Sequence, residues 1–170
     1  MDIEEQISRL PVVKLYNMKV VDVTDKNLSI YLNLAQCYEA EFSVLTKKKP
    51  NKDGLFALDT DIISPTRGYI VFIEKTPAGI AAIGCKGTSY EVFEFYIVPY
   101  FRKEKLGTKF AHSIWSKFPG KWEVKQIEGA DHAVNFWRNC IRKYPHKNYI
   151  EDQYQDHYWG QVNRQSFIVF

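Results

Sequence analysis

Several common function classes are excluded by what this 170-residue chain lacks. Its three cysteines, Cys37, Cys85 and Cys140, are odd in number and far apart. They suit neither a disulfide framework nor a paired zinc spacing, so buried thiols in a reducing compartment are expected. His112, His132, His146 and His157 form no metal pattern, and no metal is expected. No apolar run approaches the ~18 residues a membrane helix needs, so no membrane partner is expected. The acidic start Met-Asp-Ile-Glu-Glu-Gln has no signal-like apolar core. There is no internal repeat and no low-complexity tract. With nine glycines, the chain offers neither a Walker A loop nor a dinucleotide fingerprint. The formal net charge of +3 is weak support for a long polyanionic partner. A single domain over residues 1–170 in the cytoplasm is the simplest expectation.

Aromatic residues are abundant, with 11 Tyr, 11 Phe and 4 Trp, enough for a large core with some rings left partly exposed. Positive charge is local. Arg102, Lys103, Lys105, Lys109, Lys117, Lys121 and Lys125 face only Glu104 and Glu123 over that stretch. A compact polyanion suits this better than a nucleic acid.

Periodicity predicts a mixed α/β (α+β) fold. Lys19 to Val23 reads as a strand. Asn27 or Ser29 then caps a helix to about Leu45, with Ile30, Leu34, Cys37 and Tyr38 inward. The run from Lys47 to Gly54 is a surface loop. Tyr69–Glu74 and Ile80–Cys85 form a hairpin, and Tyr90–Val98 is a third strand, all antiparallel. A helix follows from Leu106 to Phe118, then a strand from Trp122 to Ile127. A second helix runs from His132 to about Tyr144, with Asp131 as its cap. This crossover order predicts a mainly parallel pair between 90–98 and 122–127. Asn148–Glu151 and Ser166–Phe170 are further strand candidates. The polar segment between them carries no clear signal.

The most informative stretch is Glu94-Phe-Tyr-Ile-Val-Pro99-Tyr-Phe-Arg102-Lys-Glu-Lys-Leu-Gly107-Thr108. A strand ends at proline, a basic turn follows, and a helix begins. Helix N-termini leave amide N–H groups unpaired and aimed at a potential anion. Taken alone, this is either an ordinary basic turn or a phosphate site.

The same stretch resembles the acyl-coenzyme A signature of the GCN5-related N-acetyltransferase superfamily, Val-x-Pro-x-x-(Arg/Gln)-x-x-Gly-x-(Gly/Ala). Ile97, Pro99, Arg102 and Gly107 fall on motif positions. Lys105 departs, standing where the first glycine is usual. Downstream, Ala130-Asp-His-Ala133-Val-Asn-Phe136-Trp137 is similar to the family's Asn-x-x-Ala-x-x-Phe-Tyr, with Ala130 for asparagine and Trp137 for tyrosine. Phe118-Pro-Gly-Lys-Trp122 with Phe136-Trp-Arg138 resembles a bacterial subgroup of predicted acetyltransferases.

The resemblance implies a mostly antiparallel central sheet flanked by helices, with a splay between the strands at 90–98 and 122–127. It implies acetyl-coenzyme A as cosubstrate. The pyrophosphate would lie on the turn of Arg102, Lys103, Glu104, Lys105, Leu106, Gly107 and Thr108. Main-chain groups of Ile97 and Val98 would hold the pantetheine arm. Trp137 would pack beside the acyl end, and Asn135 and Arg138 would lie toward the nucleotide end.

A carboxylate is needed to take the acceptor amine's proton. Glu94, Glu91 or neither fills that role, and period-two alternation puts the two on opposite faces. Trp137 cannot serve as the acid that the family's tyrosine supplies. Tyr96 or Tyr100 replaces it, or water protonates the thiolate. The acceptor cleft is implied at Tyr38–Ser64 and Asn148–Asn163, where acidic residues suit a small-molecule or peptide amine. Three readings remain open: an N-acetyltransferase, a coenzyme-binding module without catalysis, and a basic nucleic-acid binding domain. A homodimer is compatible with each.

Overall fold

The structure is a computed structural model and describes residues 17–102 and 104–170. Along the chain come β1 (Met18–Asp22), α1 (Leu28–Thr46), β2 (Thr66–Ile73), β3 (Thr76–Lys86) and β4 (Ser89–Ile97). A single 3₁₀ turn, Pro99–Phe101, leads to α2 (Leu106–Trp115), β5 (Gly120–Ile127), α3 (Asp131–Arg142), β6 (Lys147–Asp156) and β7 (Gly160–Val169). The strands form one seven-stranded sheet in the order β1-β2-β3-β4-β5-β7-β6. Every pairing is antiparallel except β4 with β5.

Alternating side chains divide the core between the two faces of the sheet. Tyr31 and Ala35 of α1 pack on Ile70, Ile80, Ala82 and Tyr96. On the opposite face, Phe110 and Ile114 of α2 and Trp137 and Ile141 of α3 pack on Tyr69, Val71, Ala81 and Val124. Among the described residues, no helix is long and apolar enough to cross a membrane.

Several boundaries differ from the sequence expectation, each for a local reason. In α1 the buried positions are Tyr31, Ala35 and Glu39, and Cys37 is exposed. Ile30, Leu34 and Tyr38 pack against the same core as expected, and Cys37 is the one of the four that turns outward. Asn27 holds the cap position of α1 as expected, but its side chain makes no cap bond. Its Oδ1 accepts the Thr24 amide at 2.7 Å and its Nδ2 donates to the Asp22 carbonyl at 2.9 Å, fastening the β1–α1 turn. Helix α2 stops at Trp115 rather than Phe118, because the residue before Pro119 avoids the helical region. Helix α3 begins at Asp131 itself, and the cap position, Ala130, makes no side-chain bond. Both terminal strands are longer than expected. Their polar middle is a hairpin held by a two-pronged Arg164–Asp152 pair, at 2.9 and 2.5 Å.

The feature that positions the site is the parting of β4 from β5. Their pairing runs only from Ser89↔Lys121 to Val92↔Val124. Strand β5 continues with β7 as far as Ile127↔Val162, while β4 stays with β3 as far as Ile97↔Gly79. The expected splay therefore opens after Val92. A bulge sits at the same point: Ile83 faces Val92 and Ala82 faces Glu94, leaving Phe93 as the extra residue. Such bulges bend a strand and re-aim its side chains. Gly84 makes room for this one, since a Cβ there would lie 2.3 Å from the Phe93 ring.

Candidate active site

The bulge changes the side-chain count along β4. Tyr90 and Val92 pack toward α2 and α3, and so do Phe95 and Ile97. Glu91 and Glu94 consequently share the α1 face. The expectation that alternation separates them is overturned by the extra residue between them.

Both carboxylates line a cavity of about 690 Å³. It begins at Tyr38, Glu39 and Phe42 of α1 and at the loop Asp59–Asp61. It passes the gap between Phe95 and the end of β5, and reaches Ala133 and Trp137 of α3 on the other face. Tyr154, Asp156 and Trp159 of the β6–β7 hairpin close one side.

Glu94 is 4% exposed, and the Tyr31 hydroxyl donates to its Oε2 at 2.6 Å. Burial holds its carboxyl above the usual carboxylate range. Hydrogen bonds from Tyr31 and Thr60 pull the other way, and the charges of Glu39 and Asp59 push up again. A buried carboxylate raised in this way has the character of a working base. Burial, followed by the Glu94 charge, keeps Tyr31 far above its usual value, so it remains a donor. Glu91 is committed elsewhere. It sits 2.8 Å from the Lys125 ammonium and is half-exposed. Burial disfavours the Lys125 charge, but the Glu91 carboxylate outweighs it and holds the lysine above its usual value.

The loop expected at the surface supplies an unforeseen contact. Lys48 turns its ammonium inward onto Glu39 Oε2 at 2.6 Å, Asp59 Oδ2 at 2.7 Å and the Ala57 carbonyl at 3.0 Å. This accounts for the nearly complete burial of Glu39.

Tyr96 is buried in the α1-side core and does not line the cavity. Tyr100 is 84% exposed. The tyrosines that do line it are Tyr38 and Tyr154. Sequence reading put Tyr38 among the core residues of α1 and also at the start of the acceptor region. Tyr31 went unremarked, though its spacing to Ala35 and Glu39 marks a helical stripe.

At the turn before α2, Glu104 (φ 67°) and Lys105 (φ 62°) are both left-handed. Lys105 thus adopts the conformation that its motif position gives to glycine, at a cost of about 1–2 kcal/mol. It is the cap of α2 and makes no side-chain cap bond, and its carbonyl accepts the Lys109 amide at 3.0 Å. The first-turn amides of Leu106, Gly107 and Thr108 follow directly. Leu106 is buried and anchors the turn. Gly107 lies against α3, and a Cβ there would meet the Phe136 ring at 3.0 Å. Lys103 lies outside the described residues. A lysine at the cap, first-turn amides and a close-packed glycine fit a pyrophosphate, although the Glu104 carboxylate works against it.

Arg102 is engaged within the protein. Its Nε donates to the Ile97 carbonyl at 2.9 Å, its Nη2 meets Glu41 Oε2 of α1 at 2.6 Å, and its guanidinium lies 5.6 Å from the Tyr96 ring centre. The Val98 amide donates to the Ala78 carbonyl at 2.9 Å. Alternation then turns the main-chain groups of Ile97 toward the gap, where β5 no longer supplies a partner and Arg102 takes the carbonyl, leaving the amide free to donate.

Trp137 is 5% exposed at the cavity floor, 4.8 Å from the Phe95 ring and 4.9 Å from that of Phe136. Arg138 forks onto Glu151 of β6, at 3.1 and 2.5 Å, and donates to Asn135 Oδ1 at 3.1 Å. Asn135 and Arg138 are therefore joined to each other and to the hairpin. Cys140 is buried as expected, Cys85 is intermediate and Cys37 is exposed, contrary to expectation.

No protein-family model matches the chain, and no curated protein matches its sequence. Solved structures do match. A ribosomal-protein alanine N-acetyltransferase from Escherichia coli superimposes with a TM-score of 0.57 at 7% identity, over 91% of this chain and 96% of that one. A Bacillus subtilis acetyltransferase in complex with coenzyme A gives 0.54 at 9%, over 91% and 99%. A Klebsiella pneumoniae protein described as an acyl-CoA N-acyltransferase gives 0.60 at 16%, over 92% and 99%. The chain has the fold of the GCN5-related N-acetyltransferases.

Proposed function

We propose that this chain uses that fold as an N-acetyltransferase, moving an acetyl group from acetyl-coenzyme A directly to a primary amine. The observation that carries the reading is the parting of β4 and β5 after Val92. It opens a cavity through the sheet, with the buried Glu94 on one face and the α2 turn next to β4. Neighbours of the same fold that act on amines support the class.

Bound acetyl-coenzyme A supplies the acetyl group as a thioester, whose carbon–sulfur bond is exchanged for a carbon–nitrogen bond to the acceptor. The amides of Leu106, Gly107 and Thr108 and the Lys105 ammonium hold the pyrophosphate. The Ile97 amide, facing the gap, donates to a pantetheine carbonyl as it would to a missing strand. Glu94 takes the acceptor's proton, directly or through water, and burial matches its basicity to that task. Trp137 walls the acyl end. With no tyrosine on α3 to donate a proton, the departing thiolate is protonated from solvent.

Calorimetry and a thiol-release assay test the reading together. Binding of acetyl-coenzyme A and amine-dependent release of free thiol are expected, and Glu94→Gln should retain the binding and lose the release. Absence of binding at millimolar concentration overturns the proposal. Binding without thiol release across an amine panel would instead favour the non-catalytic coenzyme module.

A further inference from the structure

The cavity wall is rich in carboxylates: Glu39, Asp59, Asp61, Glu91, Glu94 and Asp156 all line it, against one lining cation, Lys125. Pairing within the protein removes only part of this charge. Lys125 answers Glu91, and Lys48 sits between Glu39 and Asp59. Asp61 makes no ion pair among the described residues. Asp156 accepts the amides of Tyr158 and Trp159 at 2.8 and 2.9 Å, and these bonds hold its carboxyl below the usual range. It therefore stays charged at the rim. One reacting amine at Glu94 leaves Asp61 without an ion pair among the described residues, and Asp156 with only the field of His157 and of Lys125, which Glu91 already answers.

The wall's affinity for ammonium is visible within the molecule. The Lys48 side chain ends in a nest of two carboxylates and a carbonyl on this same wall, all within 3.0 Å of its nitrogen. Aromatic faces complete the environment. Trp159, next to Asp156, and Tyr38 and Phe42, next to Glu39, line the same space and offer the ring faces that ammonium groups favour.

We infer that the acceptor is a linear polyamine, whose reacting amine lies at Glu94 while a second ammonium is held at the rim between Asp61 and Asp156, beside Trp159. The inference rests on the acetyltransferase reading and narrows it. A flexible aliphatic chain with amines at intervals fits a cavity that runs from a charged rim, past aromatic walls, to a buried carboxylate. A monoamine fills the reacting position and gains nothing at the rim.

The test compares n-butylamine, putrescine and spermidine as acceptors under the same acetyl-coenzyme A concentration, at low and high salt. Spermidine is expected to exceed n-butylamine in kcat/KM by roughly tenfold or more, the size of one favourable extra charge contact. The advantage should shrink as salt rises, because the rim is open to solvent. In Asp61→Asn combined with Asp156→Asn, the ratio of the two rates should fall toward one. Acetyl-coenzyme A titration of that variant confirms that it is folded. Equal rates with n-butylamine and spermidine would overturn the polyamine inference and leave the acetyltransferase reading standing. So would a ratio that the double substitution does not change. Failure to bind acetyl-coenzyme A would overturn both.

Discussion

Tyr31 on α1 donates its hydroxyl to Glu94 on β4 at 2.6 Å, and the pair links the first helix to the centre of the sheet. This single contact fixes the carboxylate that has the environment of a base. It also lets the consequences of that environment be measured.

Glu94→Gln should reduce acetyl transfer by about a hundredfold or more, the usual worth of a general base. The amide oxygen still accepts from Tyr31, so the fold is kept. Glu94 is raised in the folded protein, so the unfolded chain ionises first as pH rises. Stability is therefore full below the ordinary carboxylate value and declines as pH climbs toward the raised one. The glutamine variant lacks this decline and should be the more stable protein at alkaline pH. Urea melts at two pH values check it.

The coenzyme turn should respond oppositely to two substitutions. Lys105→Gly removes the left-handed strain and should stabilise the fold by about 1 kcal/mol, yet weaken coenzyme affinity through the lost ammonium. Gly107→Ala forces a methyl against Phe136 and should cost about 1–3 kcal/mol. Thermal melts paired with coenzyme A titration separate the two effects.

The Arg138–Glu151 fork should give a small acid-dependent term. Its hydrogen bonds to Arg138 hold Glu151 down at about 2. The contribution is present above the ordinary carboxylate value and is lost as pH falls through about 2. Arg138 is half-exposed, so solvent screening keeps the contribution of the pair small. Comparing Glu151→Gln with the parent at neutral and acidic pH measures it.

The three thiols should separate in a thiol-reagent assay. Exposed Cys37 should be modified in the native protein. Burial pushes Cys140 up to about 12, and it should react only on unfolding.

The sequence made the apolar elements legible and the polar ones obscure. Strands β2 to β5 and helices α2 and α3 bury regular stripes, so their periodicity reported them. Only the ends shifted, where Pro119 and Ala130 act locally. The parallel β4–β5 pair followed from the crossover order. The bulge at Phe93 was not readable, because it depends on the register of β4 against β3 and on the empty face of Gly84. That one residue decided whether Glu91 and Glu94 meet. The burial of Glu39 on α1 was not readable for a similar reason. Glu39 is buried because Lys48 returns from the following loop to neutralise it, and a hydrophobicity count along α1 cannot register that ion. Strand β6 is polar on both faces, and β7 alternates clearly only toward Phe167 and Val169, so the Arg164–Asp152 pair helps set a register that apolar alternation sets elsewhere.

Arg102 meets α1 through Glu41, β4 through the Ile97 carbonyl and the Tyr96 ring, and belongs itself to the coenzyme turn. Any ligand that draws its guanidinium outward gives up the grip on α1, the helix that walls the acceptor space. One guanidinium thus ties the start of α2, the end of β4 and α1 together, and a change at Arg102 is felt by all three.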